Sequence, residues 1–231
     1  MYEDALEIFK YLPIRASQNE IDYINHLWAS ANKLYLDDKY TKVSTRSFSI
    51  MPFHILFMLA LQYKIFRIKK QRSTEYISRI EKYVSNKDIK KQLLNVNSVF
   101  DFGLMGETSL VKLLSIVGLS DDSIGRTISL INHRNDSIAH AKGGFIFEAD
   151  EKINEYIKCL AEIQKCFELL NNEVAKSWFE EIENEDDLED FKERKLADAH
   201  ICSEDFNSGD MLILVNNSST PFKEWLITKD N

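Results

Sequence analysis

Three prolines and seven glycines in 231 residues leave this chain few positions at which it can turn sharply. Folds with many strands need more of both residues, because glycine supplies the positive φ angles of tight turns and proline ends regular structure. Apolar residues instead recur at helical spacing, first in the segment 17–36, which a capping box of Ser17 and Glu20 opens. The sequence therefore predicts a mainly α protein, a helical bundle with short connections.

The rest of the bundle is predicted from further apolar and amphipathic segments. Residues 49–70 predict a helix with Pro52 in its first turn, where proline is tolerated. Its apolar centre, Phe53–Tyr63, is too short to span a bilayer and is typical of a buried core helix. The remaining segments predict a helix over 73–84 with Ser73 as its cap, and helices over 87–94, 109–117 and 120–134. They also predict a loop over 95–107 and a long helix from an Asp150 cap toward residue 182. We assign residues 1–183 to this helical domain.

Residues 184–231 are predicted to form a small tail, either helical or α+β. Its one credible strand is "MLILV" at 211–215. The segment 180–190, "EEIENEDDLED", holds eight acids and no base, which equals the net charge of −8, so the remainder of the chain has 29 basic and 29 acidic residues. Such a segment is either a solvated charged helix, or a mimic of nucleic acid or a binding segment for a partner protein.

The densest basic cluster is "KIFRIKKQR" at 64–72. It is either a solvated helix end favoured by the helix dipole, or a patch that contacts phosphate. Cys159 and Cys166 lie on one predicted helix with Cα atoms about 10 Å apart, too far for a disulfide. Reduced cysteines without metal-ligand spacing, and a start at Met1 without a signal peptide, predict a cytoplasmic protein with no metal, no other cofactor and no membrane partner.

The usual motifs of nucleotide, metal and hydrolase sites are absent from the sequence. His26 and His54 lie in apolar helices, which is typical of a core or interface histidine. The remaining concentration of chemistry is "HRNDSIAHAKGG" at 133–144. Asp136 and His140 stand one helical turn apart, so the carboxylate can orient the imidazole and raise its pKa. Ser137 is also within reach of His140, and both neighbours are predicted to support it.

Arg134 precedes His140 by six residues, which is about 9 Å along a helix axis and about 120° around it. One chain therefore does not bring the two side chains into one tight site. An isologous homodimer through this face would bring both arginines and both histidines into a shared cleft.

These groups suit RNA cleavage without a metal ion. An arginine fork binds a phosphate and stabilises its transition state, and a histidine with a pKa near neutrality transfers the proton of a 2′-hydroxyl. The alternative is structural: Arg134 caps the carbonyls at the end of its helix, and His140 lies in a last turn before Gly143.

The segment resembles the signature of the HEPN superfamily, the higher eukaryotes and prokaryotes nucleotide-binding domains. That signature is an arginine, commonly followed by a polar residue, and then a histidine after four to six intervening residues. Here Arg134 is followed by Asn135, five residues separate Arg134 from His140, and the segment lies between two long predicted helices. The similarity in helical pattern extends over about residues 17–180.

This resemblance implies a metal-independent, homodimeric endoribonuclease of a bacterial toxin–antitoxin or antiviral defence system, with RNA, such as tRNA, as substrate. Arg134, Asn135 and His140 would be catalytic, and His133 and Lys142 would contact RNA. Lys142 occupies the position at which some toxins of the family carry a modifiable tyrosine. The alternative is a non-catalytic binding or scaffold module of the same fold, acting with an antitoxin or sensor protein.

Overall fold

The structure, a computed structural model, describes residues 5–13, 16–36, 46–135, 149–174, 206–208 and 210. These ranges include seven α-helices: α1 (Gln18–Leu36), α2 (Ile50–Gln71), α3 (Ser73–Tyr83), α4 (Lys87–Leu94), α5 (Glu107–Lys112), α6 (Asp121–Arg134) and α7 (Ala149–Cys166). No β-strand occurs within them, only an isolated antiparallel bridge between Pro13 and Asn207. The prediction of a mainly α helical bundle is confirmed. The predicted strand at 211–215 and the acidic segment 180–190 lie outside the described residues.

Helix α2 is the centre of the fold. Fifteen of its 22 residues are buried, around most of its circumference, because α1, α5 and α7 pack against it. The continuous helix over Arg46–Gln71 is long and apolar enough to cross a membrane by length and composition. In its most apolar stretch, however, 72% of the residues are buried inside the protein. This burial agrees with the prediction of a core helix.

Several helix ends follow the sequence signals. The hydroxyl of Ser17 accepts a bond from the Glu20 amide, and the Glu20 carboxylate accepts one from the Ser17 amide at 2.7 Å, as a capping box requires. Ser120 caps α6 by accepting a bond from the Ser123 amide. The helical turns after α5 end at Gly118, whose φ of 85° is the left-handed conformation that favours glycine.

Other predicted ends were wrong. Ser73 is the first residue of α3 and not its cap, since α2 runs on to Gln71. The predicted loop 95–107 contains a 3₁₀ helix, Val99–Leu104, with its own capping box of Ser98 and Asp101. The long helix predicted to begin at an Asp150 cap begins at Ala149 and ends at Cys166, and a turn at residue 167 separates it from helical residues 168–174.

Asp150 has a tertiary role instead of a capping role. Its carboxylate lies 2.7 Å from Nη2 of Arg46 and accepts a hydrogen bond of 2.5 Å from the hydroxyl of Tyr35. Tyr35 is at the end of α1 and Arg46 begins the 3₁₀ turn before α2. These contacts therefore join the start of α7 to the end of α1 and to the 3₁₀ turn before α2. A local sequence pattern gives no sign of a partner more than 100 residues away.

The basic cluster at 64–72 is divided between the core and the C-terminal end of α2. Lys64 and Arg67 are buried and form ion pairs with Asp210, which comes from the C-terminal region. Lys69 donates to the carbonyl of Val96, and Arg72 pairs with Glu173. Both readings were wrong for Lys64 and Arg67, because a carboxylate remote in sequence pairs with them in the core. The helix-end reading holds for Lys69 and Lys70, which lie in the last turn of α2.

The structure agrees with the predictions for one histidine and for two cysteines. His54 is buried in the core, as predicted, whereas His26 is exposed on α1. Cys159 and Cys166 are free thiols, as predicted.

Candidate functional site

Arg134 ends α6 and points back into the bundle. Its Nη2 donates to both carboxylate oxygens of Glu107, at 2.7 and 2.8 Å, and its side chain is 12% exposed. Asn135, the next residue, closes the helix by donating its amide to the carbonyls of Ile131 and Asn132. The prediction that Arg134 caps carbonyls was wrong, because its guanidinium binds side chains from other helices.

A second histidine meets the guanidinium. Nε2 of His54 lies 2.5 Å from Nη2 of Arg134 and 3.0 Å from a Glu107 oxygen, and its Nδ1 lies 2.9 Å from the hydroxyl of Tyr156. Nε2 either donates to Glu107 or accepts from Arg134, and the tautomer decides which. Four helices, α2, α5, α6 and α7, thus contribute one side chain each to a connected polar cluster of imidazole, carboxylate, guanidinium and phenol.

The surroundings set the charge of each group in this cluster. Burial and the charge of Arg134 lower the pKa of His54, against an opposing effect of Glu107, so its imidazole is neutral at pH 7. Burial alone would raise the pKa of Glu107, but the hydrogen bond from His54, together with the charge and hydrogen bonds of Arg134, outweighs it and lowers that pKa. Burial raises the pKa of Tyr156 and keeps its phenol protonated. The cluster therefore contains one ion pair, Arg134 with Glu107, and two neutral groups, His54 and Tyr156. His54 contacts both members of the pair, and Tyr156 contacts His54.

The structure describes only part of the predicted site. Arg134 and Asn135 occupy the predicted helix end. Asp136, Ser137, His140 and Lys142 lie outside the described residues. Sequence reasoning missed Glu107 and Tyr156 and placed His54 only in the core. A histidine in an apolar helix does signal buried partners, because burying it unpaired is costly, but partners 53 and 102 residues away leave no local pattern.

A groove of about 430 Å³ runs between α6 and α7 and reaches His133, the residue before Arg134. His133, predicted to contact RNA, is exposed and lines it, together with the exposed Lys158. The other charged side chains of this groove are Arg126, Lys152, Glu155 and Glu162. Arg126 pairs with Glu162 and Lys152 with Glu155, so Lys158 is the charge that these two ion pairs leave over.

Within the described ranges, no group of three or more His, Cys, Asp or Glu side chains is placed to hold a metal ion. No protein-family model, curated protein or solved structure matches the chain.

We expect His54→Leu to lower the free energy of unfolding by about 1–3 kcal/mol, because it leaves the buried hydroxyl of Tyr156 without its partner. Urea unfolding at pH 7 measures this. Adding Tyr156→Phe should recover part of the loss, since replacing both partners with apolar groups removes the unpaired hydroxyl. His26→Leu, on the exposed face of α1, is the control and should change stability by less than about 0.5 kcal/mol. Strictly additive losses in the double variant would contradict the pairing.

Proposed function

We propose that the protein is a metal-independent endoribonuclease that acts as a homodimer, with Arg134 and His140 as its catalytic residues. The observation that carries the proposal is the fixed position of the Arg134 guanidinium at the end of α6, just before the segment that bears His140. Glu107 and His54 both contact Nη2, so the orientation of the planar guanidinium is set before any substrate binds. Such preorganisation is what stabilises developing phosphate charge in a transition state.

The proposed reaction is an in-line attack within the RNA. The 2′-oxygen forms a bond to the adjacent phosphorus while the bond from phosphorus to the 5′-oxygen breaks. His140 takes the 2′-hydroxyl proton or supplies one to the leaving oxygen. The products are a 2′,3′-cyclic phosphate and a 5′-hydroxyl. Arg134 bears the charge of the phosphate oxygens, and Asn135 helps to position the phosphate.

Two chains are needed because of the spacing of the motif. His140 is the sixth residue after Arg134, a spacing of about 9 Å along a helix. A two-fold axis beside the end of α6 would bring the Arg134 of one protomer to the His140 of the other. In this arrangement Glu107 and His54 are positioning residues for Arg134, and Asp136 and Ser137 support His140.

The groove between α6 and α7 offers a path for the RNA backbone to this site, with His133 and Lys158 on its walls and Lys142 following in the chain. We expect Lys158→Glu to weaken RNA binding at every sequence and to reduce the slope of log affinity against log salt by about 1, as the loss of one phosphate contact does. Fluorescence anisotropy with labelled RNA over a KCl series measures this, in a His140→Ala background that prevents cleavage. Lys87→Glu, an exposed lysine on α4, is the matched control. Equal salt-dependence slopes for Lys158→Glu and Lys87→Glu would argue against this path.

Growth in bacteria tests the proposed function simply. Expression of the wild-type chain should arrest growth, and expression of His140→Ala at the same level should not. RNA extracted from both cultures should show new fragments only with the wild type. Equal growth and equal RNA patterns at matched protein levels would count against a toxin nuclease.

One observation favours the second candidate function, a binding or scaffold module that acts with an antitoxin or sensor protein. Arg134 is mostly buried and engaged with Glu107, so in this state much of its charge is already neutralised. In a scaffold that ion pair is purely structural. Glu107→Gln separates the two: a nuclease should keep a folded structure and change its cleavage rate, whereas a scaffold should show only altered stability or altered partner affinity.

A further inference from the structure

A second polar cluster lies away from the Arg134 site, between α2 and the helical residues 168–174. Lys64 and Arg67, one turn apart on α2, have side chains that are 3% and 1% exposed. Their counter-charge is a single carboxylate, Asp210, which is as deeply buried. Two cations this deep in a core are costly without an anion, so the position is by its composition an anion-binding pocket.

The carboxylate of Asp210 is bound through both oxygens. Oδ1 accepts hydrogen bonds from Gln164 Nε2 at 2.7 Å, Asn171 Nδ2 at 2.9 Å and Lys64 Nζ at 3.1 Å. Oδ2 lies 2.7 Å from Arg67 Nη1 and 3.2 Å from Lys64 Nζ. A planar group with two oxygens therefore fits the donors of the pocket.

The amide side chains of the pocket are oriented for an anion. Gln164 turns its oxygen to Lys64 Nζ, at 2.6 Å, and its nitrogen to the carboxylate. Asn171 likewise gives its oxygen to Arg67 and its nitrogen to the carboxylate. Phe167 closes one side, with Lys64 Nζ 4.5 Å from the centre of its ring. The bundle alone thus supplies five of the six contacts named for the carboxylate. Among them Arg67 contributes an ion pair, since its Nη1 makes no hydrogen bond.

The sixth contact comes from the segment that carries Asp210. The amide of Asn207 donates to Oδ2 at 3.1 Å, and the amide of Asp210 donates back to the Asn207 side chain at 2.9 Å. Residues 206–208 also contact the N-terminal region, through the bridge from Asn207 to Pro13 and the bond from Ser208 to the Lys10 carbonyl. Phe206 is buried with its ring centre 4.4 Å from the Arg67 guanidinium, and the Asn207 side chain donates to Gln164 at 3.0 Å. Three side chains therefore join the segment to the pocket, and Asp210 is the charged one.

We propose that Lys64, Arg67, Gln164 and Asn171 form a carboxylate-binding site, which Asp210 fills as a tethered ligand and which a free carboxylate fills when Asp210 is removed. The proposal goes beyond RNA cleavage and does not depend on it. It makes the docking of the C-terminal region to the bundle an occupancy equilibrium at one anion site.

The test adds small carboxylates to variants that lack the Asp210 side chain, and matches the size of each anion to the part that is missing. Asp210→Ala lacks only the carboxylate, so formate should fill its pocket, and Asp210→Gly lacks one more carbon, so acetate should fill it better than formate does. In each variant of the full chain, the melting temperature should rise with the logarithm of the concentration of the matching anion. At saturating concentrations the anion should recover about half of the melting temperature that the substitution removes. Chloride at equal ionic strength, and the neutral isosteres formamide and acetamide, should recover none of it.

The controls separate the site from general salt effects. Three proteins should show no selective response to formate: the wild type, Asp210→Asn, whose pocket is still filled, and Glu173→Ala, which removes the partner of the half-buried Arg72. If Asp210→Ala is obtained only unfolded, it should refold from urea with formate and not with chloride. Equal recovery by phosphate and formate would overturn the selectivity for carboxylate. A lack of any anion-selective recovery, in melting or in refolding, would overturn the site itself.

Discussion

Arg134→Ala is expected to lower the rate of RNA cleavage on the order of 10²–10³-fold, the cost of removing one group that stabilises developing charge in a transition state. Arg134→Lys should restore little, because an ammonium lacks the planar guanidinium whose Nη2 binds Glu107 and whose other donors we propose for the phosphate. Single-turnover cleavage of a labelled RNA, with enzyme in excess, measures the chemical step apart from product release.

The control must distinguish catalysis from stability, because Arg134 also pairs with Glu107. Arg72→Ala breaks a comparable arginine–glutamate pair, with Glu173, and should leave the rate unchanged. Melting temperatures of both variants show whether either is unfolded under assay conditions. A loss of activity that only parallels unfolding, or a rate for Arg134→Ala within about twofold of the wild type, would remove Arg134 from the chemistry.

Asp210→Asn is expected to cost about 3–5 kcal/mol of unfolding free energy, the range for breaking a buried ion pair by neutralising one partner. The substitution keeps the volume of the side chain but leaves Lys64 and Arg67 buried without a counter-charge. Urea unfolding at pH 7 measures the loss. Glu162→Gln, which neutralises the exposed partner of Arg126, is the control and should cost less than about 1 kcal/mol.

The unfolding free energy that Asp210→Asn loses should depend on pH. Burial opposes ionisation of Asp210, but Lys64 and Arg67 outweigh it and hold its pKa far below the ordinary 3.8. Its stabilisation is therefore complete above pH 3.8 and is lost as the pH falls below that value. Burial lowers the pKa of Lys64 to about 8 despite Asp210, and without Asp210 it should fall further. The deficit of Asp210→Asn should thus narrow below about pH 4 and narrow again as the pH rises toward 8. A deficit that is constant from pH 3 to pH 9 would contradict the ion pair.

The parts of the fold that follow from the sequence are those that depend on near neighbours. The capping box of Ser17, the stop at Gly118 and the apolar α2 are all set within a few residues. The position of Arg134 and Asn135 at the end of α6 also follows from such local signals.

The partners of buried polar side chains could not be predicted in the same way. Lys64 and Arg67 read as a basic surface cluster, since nothing nearby announces a carboxylate 146 residues from Lys64. Glu107 fell in a predicted loop, although it begins α5 and binds Arg134 and His54. The energy of such groups depends on tertiary contacts, which a pattern along one chain does not contain.

The chemistry of the RNA ends is the most direct test of the central claim. Purified protein is incubated with RNA in excess EDTA, and the fragments are analysed for 2′,3′-cyclic phosphate and 5′-hydroxyl termini. The account predicts both termini with the wild-type protein and neither with His140→Ala, at equal folded concentration. Cleavage that persists in His140→Ala, or wild-type fragments with 5′-phosphate ends, would contradict it.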